Sequence, residues 1–285
     1  PLAIAMGGHV RVGWEDNPFL PDGTLSTQNA QLVEVVVRMA REIGRVLDQL
    51  QDMKALDNTL VMFLSDNGAS AEKILRGDGH DPTAPLGSAK TYPCLGPGWS
   101  SCSNTPFRRH KTWVHEGGIS TPLIVHWPKG ITAKNEFRHT PGHVVDISRT
   151  VLDVGPPIVT IELSDFGDPP PPPSGRSIAP LFAKDAPAND AAAQQPIWFL
   201  HEENKALRRG QWKIVAAKGD AWALYDLSKD RGETTDVSAK HPEIVKELQA
   251  EWQKRFDAYA ATALKDAPAA DLRENQPKKN KKKAN

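Results

Sequence analysis

Two short polar segments carry the side chains best suited to chemistry. Asp66 and Asn67 follow the apolar run Thr59–Leu64, so they stand at the carboxyl end of a predicted strand. A carboxylate beside an amide oxygen suits a hard cation such as Ca²⁺ or Mg²⁺, although Asp-Asn-Gly is also a good turn sequence. Lys111 is the second candidate, because a lysine in a closed site can pair with a sulfate or phosphate oxygen as a compact point charge.

Four histidines lie near these segments or near other apolar runs. His110 and His115 flank Lys111 and could donate to an anion or shuttle a proton. His201 follows a short apolar run, and His143 begins a predicted helix that it would cap. For each of them, a structural or surface histidine is the alternative interpretation.

The residues with nucleophile chemistry lack a supporting motif. Ser100, Ser101, Cys102 and Ser103 are not embedded in a G-x-S-x-G elbow, so the pattern gives little support to a serine hydrolase. Cys94 and Cys102 are close enough in sequence to pair, but their spacing leaves the redox state open. The pair Gly117-Gly118 predicts a tight passage of the backbone.

The hydrophobic pattern of the first two thirds predicts helices around a sheet. Apolar residues recur at three- and four-residue steps from Leu32 to Leu50, which predicts a helix that packs one face on a sheet. The continuous apolar run Thr59–Leu64 predicts a strand buried on both faces, as in a parallel sheet. Residues 69–112 predict a long surface loop, Thr121–Trp127 a second strand, and Val144–Asp153 a helix.

The last third has a different composition. Five prolines at 169–173 predict a stiff linker, and the Ala-rich residues 186–193 mark a second boundary. Strand-like runs then precede an amphipathic helix; they are Pro196–Leu200, Gln211–Ala216 and Ala221–Leu227, and the helix is Pro242–Tyr259. We therefore predict an α/β domain over 1–185, a small α+β subdomain over 186–265 and a disordered basic tail over 266–285.

The overall charge of the chain gives no indication of a strongly charged binding partner. The 35 basic and 35 acidic residues give a formal net charge of zero. This balance demands neither a nucleic-acid nor a membrane partner, and no run is apolar and long enough to cross a bilayer. With 39% hydrophobic residues, the chain can bury a core.

In order and spacing, these pieces resemble the C-terminal half of the type I sulfatases of the alkaline-phosphatase superfamily. The resemblance covers roughly residues 30–260. The matching stretches are Leu56–Gly68, Lys111–Pro122 with Glu116-Gly117-Gly118, His143–Ile147, Arg176–Leu181, His201–Lys213, Leu224–Leu227 and Arg231–Thr235. The fold implied is α/β, with a mixed central sheet flanked by helices and a small α+β C-terminal subdomain.

The resemblance also implies roles for the polar residues. Asp66 and Asn67 would complete a calcium site, in which Mg²⁺ is an alternative, and Lys111 would contact the substrate sulfate as the catalytic cation. His115 and His201 would be substrate contacts, His201 because its stretch approaches the active-site mouth in similar enzymes. Charge on the sulfate would then be neutralised as the S–O bond breaks.

The departures from the family pattern are as informative as the matches. The family's nucleophile is a formylglycine made in a C/S-x-P-x-R motif, and this sequence contains no such motif. The N-terminal aspartates and sulfate-contacting residues of the family are missing as well. The chain thus holds two expected calcium ligands and one sulfate contact, whereas Ca²⁺ takes six to eight oxygens.

Three functions remain open from the sequence. The first is an arylsulfatase-type sulfuric ester hydrolase acting on a small-molecule sulfate ester, represented by an incomplete chain. The second is a phosphate or carboxylic ester hydrolase of the same superfamily. The third is a non-catalytic folded remnant. Exposed apolar sheet surface predicts self-association, and the family resemblance suggests a periplasmic or secreted location.

Overall fold

The computed structural model describes residues 43–72, 79, 81–84, 90–91, 95–133, 135–155, 175–184, 186 and 194–266. It has a mixed α/β architecture, with one two-stranded sheet and one four-stranded sheet among these residues. The predicted helix before residue 43, the proline run 169–173, most of the Ala-rich stretch, the basic tail and Cys94 lie outside the described residues. The proposed domain boundaries stay a prediction.

The first sheet is a two-stranded ribbon. Strand β1 (Val61–Leu64) pairs antiparallel with β2 (Leu123–His126), in a register that places Phe63 opposite Ile124. Both strands were predicted, but the burial of β1 on both faces in a parallel sheet is wrong for the described structure: no β1 residue is fully buried and Phe63 is 39% exposed. A short apolar run alone does not specify its partner's direction or how much of it is covered.

Among the described residues, four α-helices precede the second sheet. Helix α1 covers residues 43–52, and α3 (Glu116–Ile119) is a single turn before β2. Helix α4 (Val145–Val154) confirms the helix predicted there, and the Nδ1 atom of His143 accepts a hydrogen bond from the Val145 N–H at 3.3 Å. His143 therefore caps this helix, as the sequence predicted.

Two details of these helices differ from the prediction. Helix α2 (Gly96–Ser103) lies inside the stretch predicted as a loop, and Pro97 in its first turn suits a helix start. The sequence did not predict this helix, because its glycine and serine residues are more typical of loops. In α1, Val46 was placed on the packed stripe but is 61% exposed, whereas Ile43, Leu47 and Leu50 are half-buried.

The second sheet is an antiparallel meander of four strands in chain order. It comprises β3 (Ile197–His201), β4 (Asn204–Arg209), β5 (Trp212–Ala216) and β6 (Ala223–Asp226). The predicted runs became β3, β5 and β6. Strand β4 was not predicted, because its charged residues conceal the period-two pattern of a half-buried strand.

Each face of this meander carries its own core. On one face, Leu207, Ile214 and Leu224 pack against helix α5 (Pro242–Asp266). The apolar stripe of α5 is the predicted one: Ile244, Val245, Leu248, Trp252 and Phe256. On the other face, Val114 packs with Ala206, Val215, Tyr225 and Leu227. Val114 is therefore packed against the face of the C-terminal sheet that is opposite α5.

No helix in the described part of the chain is long and apolar enough to span a lipid bilayer.

Three glycines form the crossing that joins the end of β1 to the segment before β2. The Gly68 N–H donates to the Gly118 carbonyl at 2.9 Å. A Cβ atom on Gly68 would lie 1.8 Å from the Gly117 carbonyl oxygen, and one on Gly117 would lie 2.2 Å from the Arg109 carbonyl oxygen. Real Cβ atoms do not approach backbone so closely, so the predicted tight passage at Gly117-Gly118 is confirmed.

The Gly117→Ala substitution is expected to destabilise the chain by about 1–3 kcal/mol or more, because the new methyl group overpacks against rigid backbone. Chemical denaturation followed by circular dichroism measures the change. Gly98→Ala is the matched control, since a Cβ atom there meets nothing within 4 Å; we expect it to be neutral or stabilising by up to about 1 kcal/mol. Equal effects of the two substitutions would contradict the crossing.

Candidate anion and metal site

Asp66 and Asn67 lie where β1 ends. Asp66 is exposed, and Asn67 is half-buried. The Asn67 Nδ2 atom donates to the Gly68 carbonyl at 2.9 Å. No donor among the described residues occupies either the Asp66 carboxylate or the Asn67 amide oxygen, so both are available to a ligand.

Lys111 is held beside this end of β1 by its backbone. The Lys111 N–H donates to the Ala69 carbonyl at 2.9 Å. The Ala69 N–H in turn donates to Asn104 Oδ1 at 3.0 Å, and Asn104 Nδ2 donates to the Arg109 carbonyl at 3.1 Å. These bonds join two stretches about forty residues apart in sequence, and they bring the chain around Asp66 and the chain around Lys111 together.

The Lys111 ammonium reaches the surface. Its Nζ atom lies 3.5 Å from Glu72 Oε1, and the two side chains are 42% and 48% exposed. An ion pair this exposed contributes little to stability, of order 0–1 kcal/mol. An anionic ligand can therefore compete with Glu72 for Lys111 at small cost.

The backbone on both sides of Lys111 is strained. Arg109 has a φ of 72° and Thr112 a φ of 89°. Positive φ is uncommon for any residue with a side chain and a genuine outlier for a β-branched one such as Thr112. Strain of this kind persists only when surrounding contacts impose it, and it is concentrated at functional sites.

His201 is paired in the sheet with a residue that contacts the backbone next to Lys111. It is exposed at the end of β3, directly opposite Asn204. Asn204 is buried, and its Nδ2 atom donates to the Thr112 carbonyl at 3.2 Å. The β3–β4 hairpin is thus fastened next to Lys111, which leaves His201 within the neighbourhood of the candidate site.

His115 is not on the surface of the site. It is 5% exposed, and its Nδ1 atom has no hydrogen-bond partner among the described residues. Burial, together with the positive charges of Lys213, Arg108 and Arg109, lowers the pKa of His115 to about 3. The imidazole is therefore neutral at physiological pH, and we propose a structural role for it in place of the predicted substrate contact.

The other candidate side chains also make local contacts. A ring nitrogen of His110 donates to the Lys111 carbonyl at 3.0 Å, so this histidine braces the backbone of the site. Ser100 is buried, and its hydroxyl donates to the Gly96 carbonyl at 2.5 Å. Cys102 is an exposed free thiol.

The largest feature that the sequence did not predict is a buried group of charges. The Lys213 Nζ atom lies 3.0 Å from Glu116 Oε1 and 2.8 Å from Glu233 Oε1, and all three side chains are almost fully buried. Arg231 reaches the second oxygen of Glu116 at 3.2 Å. We call these four residues the charge cluster. Its one sequence signal is Lys213, a lysine inside the otherwise apolar β5 run.

The two carboxylates of the charge cluster respond differently to burial. Burial would raise the pKa of Glu116, but Lys213, Arg208 and Arg231 together hold it below its ordinary value. Burial raises the pKa of Glu233, and its contact with Lys213 offsets only part of that effect. Removing one member of such a group leaves an uncompensated buried charge, which typically costs about 3–5 kcal/mol.

The two candidate metal ligands are of the type that a hard cation prefers, but they are too few to hold one tightly. Asp66 and Asn67 supply oxygen donors, which Ca²⁺ and Mg²⁺ prefer. No group of three or more His, Cys, Asp or Glu side chains that could hold a metal occurs among the described residues. Two oxygens are too few for a tight calcium site.

This chain belongs to the sulfatase family. A model of the family named Sulfatase matches residues 4–156, and a model described as N-sulphoglucosamine sulphohydrolase, C-terminal, matches residues 108–261. The second match includes both Lys111 and the whole charge cluster. The resemblance predicted from the sequence is thus confirmed.

Individual relatives agree with the family models. An uncharacterised sulfatase of Schizosaccharomyces pombe is 30% identical over 252 residues, which cover 79% of this chain and 43% of that protein. An N-acetylgalactosamine-6-O-sulfatase of Bacteroides thetaiotaomicron is 24% identical, over 75% of this chain and 40% of that protein. The chain therefore spans about two fifths of the length of these curated relatives.

A solved structure shares the fold. The crystal structure of Ps i-CgsB in complex with k-i-k-neocarrahexaose superposes with a TM-score of 0.56 at 24% identity, covering 77% of this chain and 41% of that one. This likeness supports the α/β sulfatase-like fold class.

One match belongs to a different kind of protein. A stretch of 44 residues is 61% identical to a 3-keto-5-aminohexanoate cleavage enzyme of Fusobacterium nucleatum, and it covers 15% of this chain and 16% of that protein. The matched stretch is too short a part of either protein to assign that enzyme's activity to this chain.

The burial of His115 predicts a pH dependence of stability. Its folded pKa is below the unfolded value of 6.5, so the unfolded chain binds the extra proton and stability falls as the pH drops from 6.5 toward 3. Between pH 7.5 and pH 5 the native chain should lose about 2 kcal/mol more than the His115→Gln variant. Denaturant unfolding at several pH values measures the difference.

The control for this experiment is His139→Gln, because His139 is exposed. This variant should keep the pH slope of the native chain. If the native chain and His115→Gln lose the same stability between pH 7.5 and pH 5, His115 does not have the lowered pKa of a buried, neutral imidazole.

Proposed function

We propose that this chain supplies the sulfate-binding and cation-binding part of a sulfate ester hydrolase. The observation that carries the proposal is the hydrogen bond from the Lys111 N–H to the Ala69 carbonyl, which joins the end of β1 to the Lys111 backbone in a chain of the sulfatase family. The proposal assigns the Lys111 ammonium and the oxygens of Asp66 and Asn67 to one ligand.

Each residue has a distinct role in this proposal. Asp66 and Asn67 would hold a divalent cation, which supplies charge neutralisation and Lewis acidity when it is bound. Lys111 would leave Glu72 and pair with a non-bridging sulfate oxygen. The hydrogen bond of the Lys111 N–H to the Ala69 carbonyl fixes the backbone from which the side chain extends, and the ammonium would stabilise charge that develops as the ester bond breaks.

We extend the proposal to the substrate class, which would be a sulfated carbohydrate. Two of the relatives reported above carry names that refer to sulfated sugars, namely the B. thetaiotaomicron enzyme and the sulphohydrolase family model. His201 is exposed at the end of β3, opposite Asn204, whose side chain donates to the Thr112 carbonyl. From there its imidazole could contact sugar hydroxyl groups beyond the sulfate.

The nucleophile of the reaction is not assigned to this chain. The motif C/S-x-P-x-R does not occur in its sequence, and Ser100 is committed to its own helix backbone. Binding of the sulfate group, rather than its turnover, is therefore the property by which the proposal is tested.

The test is calorimetric titration of the full chain with 4-nitrophenyl sulfate, with and without Ca²⁺. We expect weak binding that Ca²⁺ strengthens, since the site has few oxygen ligands. Lys111→Gln should weaken binding about fivefold or more under both conditions, because it removes the ammonium that is proposed to pair with the sulfate. Asp66→Asn should abolish only the strengthening by Ca²⁺.

Two control variants change the same kinds of charge elsewhere. Asp57→Asn and Lys129→Gln alter exposed residues away from the carboxyl end of β1, so they should bind like the native chain. The proposal is wrong if Lys111→Gln and Lys129→Gln bind the aryl sulfate equally well. A native chain that binds an aryl phosphate far more tightly than the aryl sulfate would instead favour a phosphoesterase.

A further inference from the structure

The charge cluster has no part in the proposed sulfate contacts, yet three of its four side chains, those of Lys213, Glu116 and Glu233, are almost fully buried. Lys213 is entirely inaccessible, as is Glu233. Lys213 lies on β5, and its two carboxylate partners are 97 and 20 residues away in sequence: Glu116 precedes β2, and Glu233 follows β6. The cluster therefore joins three separate parts of the chain.

The cluster fastens the C-terminal end of the stretch that carries Lys111. We call residues 108–118 the Lys111 segment. Besides the ion pair with Lys213, the Glu116 N–H donates to Glu233 Oε2 at 2.8 Å. Arg231 donates to both Glu116 Oε2 at 3.2 Å and the Ser120 hydroxyl at 2.7 Å. Side chain and backbone of Glu116 are thus both held.

The same part of the protein holds the other end of the Lys111 segment. Arg108 Nη1 donates to the Tyr225 hydroxyl and to the Glu233 carbonyl, each at 3.3 Å. The middle is held by Asn204, whose side chain binds the Thr112 carbonyl. Every one of these anchors belongs to the C-terminal meander or to the turn after it.

The Lys111 segment needs such external anchors. It contains two residues with positive φ, Arg109 and Thr112, and local preferences alone would relax them. Its Gly117-Gly118 end lies against Gly68, and its Lys111 N–H binds the Ala69 carbonyl. If the segment relaxed, Lys111 would lose its fixed position beside Asp66 and Asn67.

The geometry points to Lys213 as a positioning residue for the sulfate-binding lysine. Lys213 forms ion pairs with both Glu116 and Glu233, and these in turn hold the Lys111 segment in the strained conformation that presents Lys111. Lys213 therefore acts on the anion site through the backbone of the Lys111 segment, without touching the ligand itself. This inference rests on the proposed function, which assigns the anion contact to Lys111.

The test compares two substitutions on neighbouring residues of β5. Lys213→Met removes the cation between the two carboxylates and leaves Glu116 with Arg231 alone, whereas Ile214→Ala creates a cavity on the opposite face, against α5. Both variants are measured at a temperature where each is folded by circular dichroism. The readouts are the affinity for 4-nitrophenyl sulfate and the hydrogen exchange of peptides from residues 108–118.

We expect Lys213→Met to weaken aryl sulfate binding at least fivefold and to speed amide exchange in the Lys111 segment at least tenfold. Ile214→Ala should leave affinity within twofold of the native chain, although it also loses stability. A loss that tracked stability alone would be the same in both variants. Equal affinities and equal exchange for the two variants would overturn the inference.

A second variant covers the case in which Lys213→Met does not fold. Glu233→Gln keeps the pair between Lys213 and Glu116 but cannot accept hydrogen bonds with both of its terminal atoms. It should weaken aryl sulfate binding two- to fivefold and increase exchange in residues 108–118. Native-like values for both readouts in Glu233→Gln would count against the inference.

The two proposals fail in distinguishable ways. If Lys111→Gln binds the aryl sulfate as well as the native chain does, the proposed function fails, and the exchange measurement alone decides whether the cluster holds the segment. If Lys111→Gln loses affinity while the cluster variants match Ile214→Ala, the function stands and the positioning role of Lys213 is wrong.

Discussion

The buried contact of Lys213 with Glu116 and Glu233 is the interaction on which the rest of this structure depends. A charge without solvent is tolerated only when partners and hydrogen bonds replace the water. Meeting that condition forces β5, the turn after β6 and the residues before β2 into one arrangement. The four-stranded meander consequently becomes a support for the Lys111 segment, in addition to being a core for helix α5.

The glycine crossing connects the segment held by the charge cluster to the end of β1, where the proposed site lies. Gly117 and Gly118 approach the backbone of Gly68 more closely than any side chain allows. The segment fixed by the charge cluster therefore lies directly against the end of β1, where Asp66 and Asn67 are found. His115 precedes Glu116 in the chain, and it is buried close enough to Lys213, Arg108 and Arg109 for their charges to lower its pKa.

The sequence predicted the elements whose signals are local. The stripe of α5, the runs of β1 and β2 and the cap at His143 all depend on residues a few positions apart. It did not predict strand β4, whose charges hide the alternation, nor the partner and exposure of β1. The charge cluster was missed because its ion pairs join residues that are far apart, and no local pattern reveals which lysine a fold will bury. The burial of His115 likewise depends on residues distant in sequence, which no local pattern shows.

The central claim is that Asp66 and Lys111 act on one anion. A double-mutant cycle with Asp66→Asn and Lys111→Gln, measured as the affinity for 4-nitrophenyl sulfate in the presence of Ca²⁺, tests it most directly. Groups that share a ligand are coupled by about 0.5–3 kcal/mol, so the double variant should lose clearly less or more than the sum of the single losses. Strict additivity of the two losses would contradict the account.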